Sequence, residues 1–165
     1  MPKMTIGLAK NRICQALREL VDPTPSKKHI DELWLYFQER CAYCEAPLSR
    51  EERRGHADHL LPSSKGGTSD LSNRVLSCPS CNGDEKLDQD WVLFLRAKCG
   101  DEDLFRLRKR RIDDWVETHA AKRRPIDEDL HRLIELKSSE ICLLIDSAAA
   151  EVRNLRQEVR HRKNK

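Results

Sequence analysis

Residues 41–86 read CAYCEAPLSREERRGHADHLLPSSKGGTSDLSNRVLSCPSCNGDEK. Two Cys-x-x-Cys pairs, Cys41/Cys44 and Cys78/Cys81, bracket the stretch. Each pair places two sulfurs on one tight turn, and four sulfurs satisfy tetrahedral Zn²⁺. A plain zinc ribbon separates its pairs by roughly 15 to 20 residues. Here 33 residues, 45 to 77, lie between Cys44 and Cys78. The excess has the composition of a hairpin with a long loop. Arg53 to Leu60 reads as a short strand, and 62–70 (PSSKGGTSD) is rich in turn formers. Arg74 to Ser77 reads as the second strand, which delivers Cys78. A helix is expected from Asp84 to Lys98, stopped by Gly100. The order is therefore strand, loop, strand, helix, with Asp58-His59 closing the first strand and Asn82 opening the helix.

The hairpin carries a second, oxygen-rich set: Asp58, His59, Asn73 and Asn82. Asp58 and Asn82 offer hard oxygen donors, which favour Mg²⁺ or Mn²⁺ over zinc. His59 ionises near neutral pH in its unperturbed state, which suits a general base.

These residues resemble the HNH nucleases with zinc knuckles, whose pattern runs CxxC, DHxxPxSxGG, LxN, CxxCNxxK. The matching residues are Cys41-x-x-Cys44, Asp58-His59-x-x-Pro62-x-Ser64-x-Gly66-Gly67, Leu71-x-Asn73 and Cys78-x-x-Cys81-Asn82. Lys86 falls four positions after Asn82, where many relatives have three, and Asn82 stands where the last His of the name would be. The resemblance covers roughly 50 residues of the chain. It implies a ββα-metal core in which His59 takes the proton from an attacking water. It implies that Asn73 braces the catalytic loop and that Asp58 and Asn82 hold a divalent cation, Mg²⁺ or Mn²⁺. Lys86 would steady a phosphate from one helical turn beyond Asn82, and Lys65 would reach one from the loop. The four cysteines would hold a structural Zn²⁺.

Outside this stretch the chain is charged and helical. Of its 165 residues 36% are charged and 5% aromatic, so the apolar core is thin. The formal charge is only +3, so distribution matters more than the sum. Arg106, Arg108, Lys109, Arg110 and Arg111 cluster in six positions; Lys122-Arg123-Arg124 and the stretch 153–165 are also basic. Of these, Arg108 to Arg111 and Lys65 are the candidate nucleic-acid contacts. No stretch approaches the roughly 20 apolar residues of a membrane span. The N-terminal MPKMTIGLAK has no apolar core followed by a cleavage site, so a reducing, cytoplasmic setting is expected.

Apolar spacing predicts helices over 5–21, 26–40, 101–123 (capped by Asp101, ended by Pro125) and 127–162. In the last helix Ile134, Ile141, Ala148 and Leu155 recur every seven residues. A companion row of Ser138, Ile145, Val152 and Val159 completes a coiled-coil-like seam. That seam packs on the chain's own helices, such as 101–123, pairs in a homodimer, or docks on a protein partner. Cys14, Cys99 and Cys142 read as apolar packing residues, and His29, His119, His131 and His161 as solvent-facing. His56, two residues before Asp58, reads as a surface or supporting histidine.

The expected fold class is α+β: a small ββα-metal HNH core with a four-cysteine zinc site, embedded in and followed by helices. The expected division is 1–40 helical, 41–98 nuclease core, 101–165 helical. The expected activity is metal-dependent cleavage of DNA. Its rivals are a zinc-stabilised adaptor that binds nucleic acid or protein, and a subunit active only within a larger assembly.

Overall fold

In the computed structural model, residues 4–120 and 127–163 are described. The fold is α+β, mostly helical with one two-stranded antiparallel sheet. The chain divides into two compact units, 24–125 and 1–23 with 126–165. No helix among the described residues is long and apolar enough to cross a membrane.

The unit 24–125 opens with a helix at Lys27–Tyr36 whose first turn is capped by Ser26. In chain order the helices are α1 (Ile6–Glu19), α2 (Lys27–Tyr36), α3 (Trp91–Lys98), α4 (Glu102–Ala120) and α5 (Glu128–Lys163). The strands are β1 (His56–His59) and β2 (Arg74–Ser77). Their register pairs His56 with Ser77, Ala57 with Leu76, Asp58 with Val75 and His59 with Arg74. All four residues of β2 are buried, so the strand that delivers Cys78 runs through the core. Leu33 and Phe37 of the α2 region, Tyr43, Val75 and Leu76, Phe94 and Leu95 of α3, and Ile112 and Trp115 of α4 pack as one apolar cluster.

The expected 41–98 core therefore does not stand apart from its flanks. Helices α2 and α4 supply part of its interior. Tyr36 Oη donates to the Arg111 carbonyl at 2.8 Å, and Arg111 Nη2 returns a bond to the Tyr36 carbonyl at 3.0 Å. Trp115 Nε1 donates to the Leu71 carbonyl at 2.9 Å, so α4 braces the 3₁₀ turn Leu71–Asn73 before β2. His119, expected to face solvent, is buried: its ring lies 3.9 Å from that of Trp115 and bonds the Trp115 carbonyl and Glu32. The helix ending expected at Pro125 and the Lys122-Arg123-Arg124 cluster lie outside the described residues.

One expected helix is two pieces. Ser80–Lys86 is π-helical, and α3 starts afresh at Trp91. Leu87 takes φ 47°, a positive φ that a helix cannot continue through, and stops the first piece. Asp90 Oδ1 then accepts from Val92 N and Leu93 N and caps the second. No Gly or Pro marks this break, so residue type alone did not reveal it. Asn82 is consequently inside a π turn, its N–H bonded to the Cys78 carbonyl at 3.0 Å, and does not cap a helix. A π turn closes from i to i+5 and so takes up more chain than an α turn.

In the other unit, α1 and α5 pack side by side. Cys14 Sγ lies 3.7 Å from Cys142 Sγ, and Lys10 pairs with Asp146. Four residues back along α1 match four forward along α5, so the helices are antiparallel. The seam row that meets a helix of this chain thus meets α1; the alternative suggested for it was helix 101–123.

Candidate active site

The four cysteine sulfurs lie within 4.8 Å of one another. Cys44 Sγ and Cys78 Sγ are 3.8 Å apart. Zn–S bonds of about 2.3 Å in a tetrahedron require sulfurs about 3.8 Å apart, so the set is compatible with a structural zinc. Local backbone explains the knuckles. Glu45 turns left-handed after Cys44 at φ 63°, and Cys81 N–H donates to Cys78 Sγ at 3.4 Å. A hydrogen bond from Cys81, with backbone N–H groups around it, pulls the Cys41 thiol down to about 4. Burial pushes Cys44 up to about 11. One thiolate thus forms readily within the cluster; a cation is needed to hold four.

The loop between the strands is tied down by Asn73. Its Oδ1 accepts from Leu61 N at 2.8 Å, and its Nδ2 donates to the carbonyls of Leu61 at 2.9 Å and Thr68 at 2.8 Å. The two glycines of the loop serve different needs. Gly66 has φ 81°, where a Cβ is strained. Gly67 presses on backbone: a Cβ there would fall 1.8 Å from the Leu61 oxygen and 2.9 Å from Asn73 Nδ2.

At the end of β1 three side chains converge on Asp58. It is buried, at 7% exposure. Tyr43 Oη donates to its Oδ2 at 3.0 Å, and Lys86 Nζ lies 3.3 Å from the same oxygen. Lys86 also donates to the His59 carbonyl at 2.7 Å. Burial, and then the Asp58 carboxylate, push the Tyr43 phenol well above its ordinary value, so it stays protonated and donating. Burial raises the Asp58 carboxyl despite Lys86 and Tyr43, which pull it down. Lys86 is 1% exposed. It was expected to steady a phosphate; its ammonium is instead spent inside, joining the π turn to β1.

His59 and Arg74 face each other across the sheet, and Arg74 Nη1 lies 3.1 Å from His59 Nδ1. A guanidinium only donates, so Nδ1 accepts in this contact. The same guanidinium reaches the Ala57 carbonyl and Ser69 Oγ, both at 3.0 Å. His59 is half-buried, as is Asn82, whose carboxamide has no hydrogen-bond partner among the described residues. His56 is exposed. Two cavities, of about 360 and 520 Å³, border this region, one lined by Leu61, Lys65, Asn73 and Trp91 and the other by Cys44, Cys78 and Cys81. Neither is lined by Asp58, His59 or Asn82.

Residues 41–86 match the HNH endonuclease family. No curated protein sequence matches the chain. The HNH segment begins at the first zinc-type cysteine and ends at Lys86, so both cysteine pairs and the hairpin fall within it. Outside the matched segment, α4 packs on it through Ile112 and Trp115.

The basic residues proposed for nucleic acid do not act as one group. Arg108 donates to the Tyr43 carbonyl at 2.8 Å, within the Cys41-x-x-Cys44 knuckle. Arg111 bonds Tyr36 and pairs with Glu45 at 3.3 Å. Both are structural contacts. Lys109 pairs with Asp113 at 2.7 Å, and exposed Arg110 lies 4.0 Å from Asp114. Lys65 is exposed, its ammonium on the Asp88 carbonyl at 2.6 Å. Tyr43, Ser69 and Arg74 were missed. Tyr43 sits inside the first knuckle and Arg74 beside Asn73, but neither residue type declares a role without its partner in space.

Proposed function

We propose that the chain is a metal-dependent HNH endonuclease that hydrolyses DNA phosphodiester bonds, leaving 3′-hydroxyl and 5′-phosphate ends. One observation carries this reading. Within the HNH segment, Asp58, His59 and the π turn that bears Asn82 are fastened together by Lys86, while Asn73 clamps the loop beside them. Such fixing is what positional catalysis requires.

In this reading His59 is the general base. Arg74 orients its ring through Nδ1, and the pairing of β1 with β2 holds its backbone. Asp58 and Asn82 would hold a divalent cation. Their oxygen donors fit Mg²⁺ or Mn²⁺, and the unpartnered Asn82 carboxamide is open to one. When bound, that ion would stabilise charge on the phosphate and the leaving oxygen. Tyr43 and Lys86, both on Oδ2, would fix the Asp58 carboxylate that offers the ion its oxygen. Cys41, Cys44, Cys78 and Cys81 would hold a structural Zn²⁺ that fixes where Asn82 emerges, since Asn82 directly follows Cys81. Of the candidate contacts, Lys65, Lys109 and Arg110 remain to meet a DNA backbone. Lys65 lies within the clamped loop.

The test is incubation of the purified chain with supercoiled plasmid and Mg²⁺ or Mn²⁺. Nicked or linear product is expected, absent with His59→Ala and diminished with Asn82→Ala. Equal turnover by wild type and His59→Ala would overturn the assignment of the base. Zinc-loaded wild type that binds plasmid and never cuts it would favour the adaptor reading.

A further inference from the structure

Helix α5 carries a seam whose leucines are exposed, while its Ile134 and Ile141 are half-buried. Helix α1 occupies the side bearing Ser138, Cys142 and Ile145, residues that are buried or half-buried. The adjoining seam steps by alternating fours and threes: Leu130, Ile134, Lys137, Ile141, Leu144, Ala148, Glu151, Leu155. This is an a/d pattern. Leu130 is 47% exposed, Leu144 69% and Leu155 61%. The seam spans about 37 Å at 1.5 Å per residue. Apolar surface of that extent on a helix marks a contact site.

We infer that the occupant is a second copy of this chain, with α5 packed antiparallel against α5 of its partner. The charges within the seam select this arrangement. Lys137 and Glu151 are the seam's two charged residues, seven positions either side of Leu144. In an antiparallel pair, Leu130 layers against Leu155 of the partner subunit and Ile141 against Leu144 of the partner subunit. Lys137 then lies one layer from Glu151 of the partner subunit, within reach of an ion pair, and the two-fold makes that pair twice. A parallel pair would instead stack each Lys137 on its own copy and each Glu151 likewise, which like charges oppose.

The ends of the helix agree with the seam. The start of α5 carries Glu128, Asp129 and Glu135; its far end carries Arg153, Arg156 and Arg160. Antiparallel association brings opposite ends together. A nucleic acid would engage only the basic end and leave the leucines in water. The last 14 residues of α5, 150–163, extend past the stretch that α1 accompanies, and the side chains described there are exposed. A lone helix of that length is marginal in water, and in this register α5 of the second copy runs beside its residues 150–157. This inference does not depend on nuclease activity.

Sedimentation equilibrium of the full, zinc-loaded chain tests it. The expected mass is about twice the 19.2 kDa of one chain at micromolar concentration and above. Leu144→Glu, which brings two carboxylates together near the two-fold, should weaken the dimer at least tenfold. Lys137→Glu and Glu151→Lys should each weaken it, and the doubly swapped chain should recover. Helicity by circular dichroism and zinc content check that each variant folds. A wild-type monomer up to about 100 µM would overturn the inference. So would a dimer indifferent to Leu144→Glu, a double swap that does not recover, or mass gained only on adding duplex DNA.

Discussion

Replacing Asn73 by Ala removes three hydrogen bonds at once, to Leu61 N, the Leu61 carbonyl and the Thr68 carbonyl. A net bond contributes about 1 kcal/mol, and a buried partner left unpaired costs about 1–3 kcal/mol. Leu61 is 44% exposed, so water can replace part of what it loses. Thr68 is 6% exposed, and its carbonyl is harder to rescue. The expected loss is about 2–4 kcal/mol. Trp34, Trp91 and Trp115 all lie in the unit 24–125, so tryptophan fluorescence reports its unfolding without interference from α5. With a urea dependence of about 2 kcal/mol/M, the midpoint of the zinc-loaded chain should fall by roughly 1–2 M. Asn73→Asp sharpens the test. It keeps an acceptor for Leu61 N but turns a carboxylate toward two carbonyl oxygens, so it should be less stable than Asn73→Ala. An Ala variant within about 0.3 M of wild type would refute the clamp. So would an Asp variant more stable than the Ala variant.

Other outcomes follow from the same contacts. Lys86→Met leaves the buried Asp58 carboxylate without its cation and should cost about 3–5 kcal/mol, read by the same urea titration. Gly67→Ala must displace the Leu61 backbone and should cost about 3 kcal/mol; Gly66→Ala, strained only by its left-handed backbone, should cost about 1 kcal/mol. Elemental analysis should find about one zinc per chain. Cys78→Ser should lose that zinc and Cys142→Ser keep it. Acid should release the metal, because protons compete for the thiolates, and a zinc-responsive dye would follow the loss.

Much of the core was legible because its determinants are local. A Cys-x-x-Cys turn presents two sulfurs whatever surrounds it, so the zinc-type cluster could be read from spacing alone. Strand β2 was expected at its observed bounds, and β1 lies within its expected range. The turn formers of 62–70 marked the loop, and Gly66 and Gly67 now have distinct reasons. The helices were found to within a few residues at most ends where Thr5, Ser26 and Asp101 cap them. The break after Lys86 was not found. It depends on a leucine at positive φ and a buried ammonium, and neither leaves a mark in residue type.

The sequence by itself determined which residues form the hairpin and the knuckles, because both are set by neighbours a few positions apart. Only the tertiary structure decided what long side chains do. Lys86, Arg108 and Arg111 read as cations for phosphate. Burial against Asp58 and the carbonyls of His59, Tyr43 and Tyr36 turned them into internal ties. Such side chains reach several ångströms, and the free energy of a charge depends on whether it ends in water or beside a buried partner. That partner comes from a distant part of the chain. For the same reason α1, more than a hundred residues away in sequence, became a helix beside α5.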